Sequence, residues 1–173
     1  MSLDKITAVD KCEAATKYNT QPADVMSIHG YYQATCYDAQ GAVKWEAPIE
    51  NLVTTVGKNL TLDTVLGNSA GGAIVMGLKG SGTADAGDTQ ASHAGWYEVG
   101  GSHAPTYSGT RKTPAFSSAT SANPAVLSTS SAVVFSMTSS GTVYGAFINI
   151  GGSSTIDDTT GTLFSIGAFT AGS

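Results

Sequence analysis

Charged residues are scarce in this sequence. Asp, Glu, Lys and Arg make up 12% of its 173 residues, which is about half the usual share. Residues 113–156 contain none of them, and Ser, Thr, Asn and Gly supply the polarity there. Because a solitary soluble domain usually carries charge over much of its surface, this segment predicts a surface that neighbouring molecules cover. A Ser/Thr-rich secreted β protein is the alternative interpretation.

Basic residues are especially few. The net charge is −5, and Arg111 and Lys112 form the only adjacent basic pair. A protein that follows a nucleic-acid backbone needs a stripe of Lys and Arg. We therefore expect no nucleic-acid partner.

Cysteines and long apolar runs are also lacking. Two cysteines, Cys12 and Cys36, do not make a disulfide framework; we expect reduced thiols, with Cys36 a small core residue, although one disulfide is conceivable. Residues 1–10 have neither the basic nor the apolar region of a secretory signal. No stretch approaches the length of a membrane span. We expect a soluble protein, made in a cytoplasm, without a membrane partner.

The length fits one domain, and composition divides it into an arm and a body. Residues 1–27 are polar, with sparse and small apolar side chains, and predict an extended N-terminal arm; a loosely docked terminus is the alternative. Residues 28–173 predict the folded domain. Its first unit is a hairpin, with strands over residues 30–38 and 42–45, a turn at residues 38–41, and Pro48 closing the unit.

One helix is predicted over residues 51–66. Asn51 is a plausible N-cap and Gly67 a plausible stop, although Gly57 and several Thr residues weaken the pattern. The apolar residues near helical spacing are Leu52, Val56, Leu60 and Leu66.

The remainder reads as short strands between turns. Residues 142–150 are apolar on both alternating sides, which indicates a strand covered on both faces. Strands at this spacing with one helix predict a mostly β fold, a β-sandwich or jelly roll. Because residues 169–173 follow a strand with no partner after it, we expect a further strand from residues absent here or from a neighbour. The other predicted strands cover residues 73–79, 97–99, 113–118, 132–138 and 162–170.

Catalytic and metal-binding patterns are weak. Ser92 and His93 near Asp85 or Asp88 offer the parts of a hydrolase, but adjacent residues on an extended chain point opposite ways, and no nucleophile elbow occurs. The alternative is that His93 and Trp96 shape a turn and are hydrogen-bonded locally.

The sequence patterns for ion-binding and phosphate-binding sites are also weak. Asp85 with Asp88, and Asp157 with Asp158, could offer carboxylates to calcium, but neither pair reproduces an EF-hand loop. Residues 77–82 lack the ending of a phosphate-binding loop. The three histidines lie far apart in sequence, so a zinc site would need an accidental convergence. We predict a non-enzymatic protein with no metal and no cofactor.

A series of motifs follows a characteristic order along the chain. These motifs are Trp45, Asn51-Leu-Val-Thr54, Gly57-Lys-Asn59, Leu62-Asp63, Ala84-Asp85, Asp88-Thr-Gln-Ala91, Ser-His-Ala-Gly-Trp at residues 92–96, Ala104-Pro-Thr-Tyr107, Gly141-Thr-Val-Tyr-Gly-Ala-Phe147 and Gly161-Thr-Leu-Phe164. The series resembles a family of tailed-bacteriophage virion proteins. The resemblance covers residues 30–173, and the motif at residues 92–96 is its most specific piece. Family members usually continue past the equivalent of Ala171-Gly172 with another strand, which this sequence lacks.

The resemblance implies a component of the phage particle, made in the bacterial host cytoplasm. The leading role is a capsid decoration or cement protein on the head surface, in contact with the major capsid protein and with other copies of itself. The alternative is a tail or head fibre or adhesin module that binds host glycan through aromatic rings. The residues predicted to form the interface are Tyr31, Tyr32, His93, Trp96, Tyr97, Tyr107 and Phe169.

Overall fold

The computed structural model describes residues 28–68, 70–121 and 125–169. Within these ranges the chain forms one six-stranded antiparallel sheet and one helix. The mostly β prediction with a single short helix is confirmed. The predicted arm over residues 1–27 lies outside the described residues. The elements are β1 (Gly30–Tyr37), β2 (Val43–Val53), α1 (Thr55–Val65), β3 (Ile74–Gly82), β4 (Trp96–Val99), β5 (Gly145–Ile150) and β6 (Thr162–Ala168), and the strand order is β1-β2-β6-β5-β3-β4.

The sheet buries residues on both of its faces. Ala146 and Phe147 are neighbours on β5 and so point to opposite faces, yet both are buried. This confirms the prediction that the strand is covered on both sides. In the described ranges no second sheet provides this cover, which a sandwich or jelly roll would require; loops provide it instead. One core cluster contains Leu78, Val99, Tyr107 and Ala146, and the other contains Trp96, Phe147, Leu163 and Ile166.

The predicted hairpin is present, but its second strand is longer than expected. The Asp38 carboxylate accepts hydrogen bonds from the backbone N–H groups of Gln40 and Ala42, and Gly41 has a positive φ of 83°. β2 then continues past Pro48, so the prediction that Pro48 closes the unit was wrong. β6 pairs with β2 only at residues 51–53. A proline is tolerated where one side of a strand has no partner.

The helix begins four residues later than predicted. Residues 51–53 belong to β2, and Thr54 is the N-cap, its hydroxyl accepting a hydrogen bond from Gly57 N at 3.1 Å. Both Asn and Thr are good N-caps, so pairing of residues 51–53 with β6 decided between them. The stop at Gly67 is confirmed by its positive φ of 76°. A Cβ at Gly57 would lie 2.2 Å from the Phe164 carbonyl oxygen, so glycine lets the helix approach β6.

The last strand is an interior strand. β6 pairs with β2 on one side and with β5 on the other. β6 therefore does not lack a partner, because β2, a strand earlier in the chain, returns to its side. The further strand expected after it stays a prediction. Residues 170–173 lie outside the described ranges.

Candidate assembly surface

The connection from β4 to β5 contains a hydrogen-bonded ribbon, which is described over residues 106–121 and 125–138. Its two sides run antiparallel, and isolated bridges pair Tyr107 with Met137 and Phe116 with Thr129. The strands predicted over residues 113–118 and 132–138 lie in this ribbon, but they are extended segments rather than regular strands. Backbone hydrogen bonds of 2.8 or 2.9 Å join Ser108 to Ser136, Thr138 to Thr106, Ser130 to Ala115, Ser117 to Ser128 and Thr120 to Val126.

The outer part of the ribbon is exposed and carries no charge. Residues 117–121 and 125–132 are all exposed, and no ionisable side chain occurs from residue 113 onward in the ribbon. Apolar side chains are exposed beside the Ser and Thr residues, Val134 at 69% and Leu127 at 56% among them. Exposed apolar groups gathered in one region mark interaction surfaces. The ribbon therefore offers a partner apolar contacts and neutral hydrogen-bonding groups.

Tyr107 fixes the base of the ribbon in the core. Its ring is buried and meets Phe135 edge-on, with 5.0 Å between ring centroids. Burial raises the pKa of Tyr107 well above its ordinary value. Its hydroxyl has no hydrogen-bond partner in the described part of the chain. The apolar ring, and not the hydroxyl, holds this end of the ribbon.

A buried ion pair fixes the ribbon beside β4. Arg111 donates from Nε to Glu98 Oε1 at 2.9 Å and from Nη2 to Oε2 at 2.6 Å, and the two side chains are 0% and 3% exposed. The guanidinium also lies 5.4 Å from the centroid of the Phe147 ring. On the adjacent residue, Lys112 exchanges two backbone hydrogen bonds with Met76 of β3. The ribbon therefore leaves the sheet from a rigid position.

The same ion pair connects the surrounding loops. Arg111 donates to the carbonyl oxygens of Ser153 and Asp158, and Glu98 accepts from the backbone N–H of Asp157 at 3.0 Å. Hydrogen bonds from the Thr160 hydroxyl and the Ser153 N–H lower the pKa of the Asp158 carboxyl. A buried charge pair is tolerated when its remaining donors and acceptors are satisfied in this way.

Sequence reasoning missed this pair. The available signal was a single charge inside an apolar run, Glu98 between Tyr97 and Val99, because an isolated charge among apolar residues needs a buried partner. The identity of that partner depends on the fold.

Lys79 is a second buried cation. Its ammonium donates to the carbonyl oxygens of Gly80 at 3.0 Å and Gly82 at 2.5 Å, where the register between β3 and β4 shifts. Burial lowers the pKa of the Lys79 amine. Both hydrogen bonds go to backbone oxygens of β3, so the buried amine is satisfied within its own strand.

The predicted interface residues occupy different environments. Trp96 and Tyr107 are buried in the two core clusters, whereas Tyr31 is 73% exposed. Tyr32 is half-buried, and its hydroxyl lies 2.5 Å from Ser165 Oγ. Phe169 packs edge-on against Trp45, with ring centroids 5.1 Å apart.

The other two predicted interface residues, His93 and Tyr97, are half-buried. Tyr97 accepts a hydrogen bond from the Ser81 hydroxyl at 3.2 Å, and its ring lies 4.5 Å from that of His103. The structure therefore brings the predicted residues to several places and not to one surface. Their role at an interface stays a prediction, and Tyr31 is the member whose ring is largely exposed.

Local hydrogen bonds hold the His93 and Trp96 turn, as the alternative interpretation of that motif predicted. The imidazole stacks on the indole with 4.1 Å between ring centroids, and His93 Nδ1 lies 3.1 Å from the Trp96 carbonyl oxygen. Trp96 Nε1 donates to Asp88 Oδ2 at 3.0 Å. That Asp88 oxygen also accepts from Asp85 N. Asp88 thus orders the loop and orients the indole.

Neither pair of acidic residues gathers into an ion site. Asp85 accepts from Gly87 N, and Asp157 accepts from Ser102 N, so these carboxylates shape their own loops. Over residues 28–68, 70–121 and 125–169, no group of three His, Cys, Asp or Glu side chains is placed to hold a metal ion.

An apolar groove of about 260 Å³ lies beside α1. Leu60 and Val65 of the helix, Ile74, Ile150 and Phe164 line it. Val65 is largely exposed, and so are the neighbouring Leu62 and Leu66. Apolar side chains are therefore exposed on this helix surface as well as on the ribbon.

The fold and surface together define a single-sheet, mostly β domain that presents a ribbon with an uncharged outer part. No protein-family model, curated protein or solved structure matches the chain. Within the described ranges, no helix is both long enough and apolar enough to span a membrane.

Proposed function

We propose that this chain is a non-enzymatic structural protein of a tailed-bacteriophage virion, a decoration or cement protein on the capsid surface. In this role it contacts the major capsid protein and other copies of itself. The observation that carries the proposal is the exposed, uncharged outer part of the ribbon with its apolar side chains. The motifs at residues 45–164 that resemble phage virion proteins support the same role.

The chemistry of the ribbon suits a repeated protein contact. Val126 and Leu127 are exposed near its outer end, and full burial of such a side chain contributes about 1.5–3 kcal/mol. The cost of association reduces the gain from any one contact. In a shell, the same contact is repeated by symmetry, so small gains add up over many copies. The uncharged surface also avoids the cost of removing charges from water.

Burial of the predicted aromatics favours this role over an adhesin. A sugar-binding site needs rings that a glycan can reach, and Trp96 and Tyr107 are both buried in the core. Tyr31 alone among the predicted residues is largely exposed, and glycan sites are usually lined by several polar and aromatic groups. The fibre or adhesin role is therefore the alternative that the localisation experiment distinguishes.

Localisation on phage particles tests the proposal directly. Gold-labelled antibody to the chain should decorate the head shell, and heads prepared without the protein should melt at a lower temperature. Adding the purified chain back should restore the melting temperature. Label at tail or fibre tips would support the adhesin role instead, and heads of equal stability without the protein would contradict the proposal.

A matched pair of variants tests the ribbon itself. The double variant Val126→Asp/Leu127→Asp places charge on the ribbon and should fail to restore the melting temperature of heads. Val65→Asp makes the same kind of change on the exposed helix surface and should restore it. Equal behaviour of the two variants would show that the ribbon is not the contact.

A further inference from the structure

The two edges of the sheet differ in their protection. β1 forms one edge and β4 forms the other. Exposed edge strands are usually kept short or blocked by charged residues or proline, because their open N–H and C=O groups pair readily with other chains. β4 has four residues, one of them the buried Glu98. β1 has eight residues and contains no charge and no proline.

The outer side of β1 is therefore open to a further strand. In the described ranges β2 is the strand that pairs with β1, which leaves one row of backbone groups without a ladder partner. Alternating side chains on one face of β1 are Tyr31, Gln33, Thr35 and Tyr37. Tyr31 is 73% exposed and Tyr37 is 60% exposed.

These side chains are arranged symmetrically about Ala34. Tyr31 and Tyr37 lie three residues to either side of it, and Gln33 and Thr35 lie next to it. If two β1 strands pair antiparallel with Ala34 opposite Ala34, each Tyr31 lies opposite Tyr37 of the second copy. Each Gln33 then lies opposite a Thr35. Aromatic pairs and polar pairs both stabilise neighbouring strands.

We propose that β1 pairs with β1 of a second copy about a two-fold axis at Ala34, so that two six-stranded sheets become one continuous sheet. A two-fold contact requires a surface that is complementary to itself, and β1 meets this requirement in both shape and charge. Because β1 itself is neutral, its own side chains bring no like charges together. The exposed tyrosine rings become covered by each other.

This pairing is the contact between copies that the proposed function includes. Only its role on the phage particle rests on that function. It is a property of the isolated chain in solution. Its test therefore needs no phage heads, and a failure here leaves the proposed contact between the ribbon and the capsid untouched.

Charge substitutions at two positions test the pairing and its register. Sedimentation of the full chain should show a dimer. In Gln33→Lys/Thr35→Lys each lysine faces a lysine of the other copy, and the dimer Kd should rise at least about tenfold. In Gln33→Glu/Thr35→Lys each glutamate faces a lysine, and the Kd should stay within about threefold of wild type. Both variants place a lysine beside Glu46, which Thr35 contacts in the native hairpin.

A cysteine at the axis gives a second readout that does not depend on charge. With both native cysteines replaced by serine, Ala34→Cys should form a covalent dimer on oxidation, because paired strands bring opposite Cα atoms within disulfide distance. Gln33→Cys should cross-link far less, since in this register its sulfur faces Thr35. Circular dichroism and thermal melting check that each variant is folded. If the double lysine variant does not fold, Tyr31→Ser replaces it and should also raise the Kd about tenfold.

Three results would overturn the inference. One is a wild-type chain that stays monomeric at its highest soluble concentration. Another is a dimer whose Kd is the same in the two charge variants. The third is a monomer whose β1 amide protons exchange slowly, which would indicate that another segment of the same chain covers the edge.

Discussion

The β4 side of the sheet and the outer part of the ribbon differ in their charged side chains. Beside β4, Glu98 and Arg111 form a buried ion pair, and Lys79 is buried nearby on β3. On the ribbon, residues 113–138 are uncharged and largely exposed. Most soluble domains place charges outside and neutral groups inside. The buried charges order the surrounding loops, whereas the neutral exposed surface is the one that we propose for contact with other molecules.

Removal of one partner of the ion pair should have the largest effect on the stability of the fold. Arg111→Met leaves the Glu98 carboxylate buried without its cation and should lower the free energy of unfolding by about 3–5 kcal/mol. Urea unfolding measures the change. Lys112→Met, on the adjacent half-buried residue, should cost about 1 kcal/mol or less. Equal losses in the two variants would contradict the role assigned to the ion pair.

Removing both partners of the ion pair tests whether the loss of stability comes from the unpaired charge. Glu98→Leu/Arg111→Met should lose less stability than Arg111→Met alone, because neither charge is left unpaired. Its stability should still lie below that of the wild type, since Arg111 also donates to two carbonyl oxygens and Glu98 accepts from Asp157 N.

Close packing beside the ion pair gives the next largest effect. A Cβ at Gly77 would lie 2.4 Å from Phe147 Cζ and 2.9 Å from Glu98 Oε1. Gly77→Ala should therefore cost about 1–3 kcal/mol. At the exposed Gly71, the nearest atom to an added Cβ is Thr64 Cγ2 at 3.8 Å, so Gly71→Ala is the control and should change stability by less than about 0.5 kcal/mol. Thermal or urea unfolding of both variants checks the prediction.

Two buried tyrosines should respond in opposite directions. Tyr32→Phe loses the hydrogen bond to Ser165 and should cost about 1 kcal/mol. Tyr107→Phe removes a buried hydroxyl that has no partner in the described residues and should raise stability by up to about 1 kcal/mol. Urea unfolding at neutral pH distinguishes the two, and a loss of stability in Tyr107→Phe would show that its hydroxyl is bonded.

The same tyrosines predict a loss of stability at alkaline pH. Burial raises the pKa of both Tyr32 and Tyr107 above the ordinary value of 10.0. Above that pH the unfolded chain loses phenol protons that the folded chain retains, so the folded state becomes less favoured as pH rises. The free energy of unfolding should be insensitive to these groups below pH 10.0 and fall above it. Tyr107→Phe should make the fall less steep.

The ribbon should show the smallest effect on stability and the largest on assembly. Val126→Asp/Leu127→Asp changes exposed side chains and should alter the free energy of unfolding by less than about 0.5 kcal/mol. Its binding to heads should nevertheless be lost. A large loss of stability would show that the outer part of the ribbon, like its base at Tyr107, packs in the folded core, and would contradict the difference drawn between the two regions.

Local patterns predicted several elements correctly. Asp38 and Gly41 supply the turn between β1 and β2, because side-chain hydrogen bonding and a positive φ depend on a few adjacent residues. Gly67 ends the helix for the same kind of reason. The alternation of apolar residues on β5 predicted cover on both faces, since the side-chain period of a strand is two.

The errors arose where distant segments compete for a residue. Asn51 has the side chain of an N-cap, but it pairs with Gly167 on β6, and the cap moves to Thr54. The segments around Phe116 and Phe135 have strand-like composition, but they lie in a ribbon outside the sheet, where the first pairs with residues 128–130 and the second with residues 106–108. The residues predicted for the interface lie in several places, with Trp96 and Tyr107 in the two core clusters, and their role stays a prediction.

By itself, the sequence determined that the described part of this chain is mostly β with one helix, and that residues 113–156 carry no charge. Composition and short-range periodicity encode those properties. The tertiary structure decided that the strands form one sheet, that β6 lies in its interior, and that Glu98 meets Arg111. Those outcomes depend on pairing between residues that lie far apart in the chain. Whether such a pair forms depends on the other segments that compete for the same position in the fold.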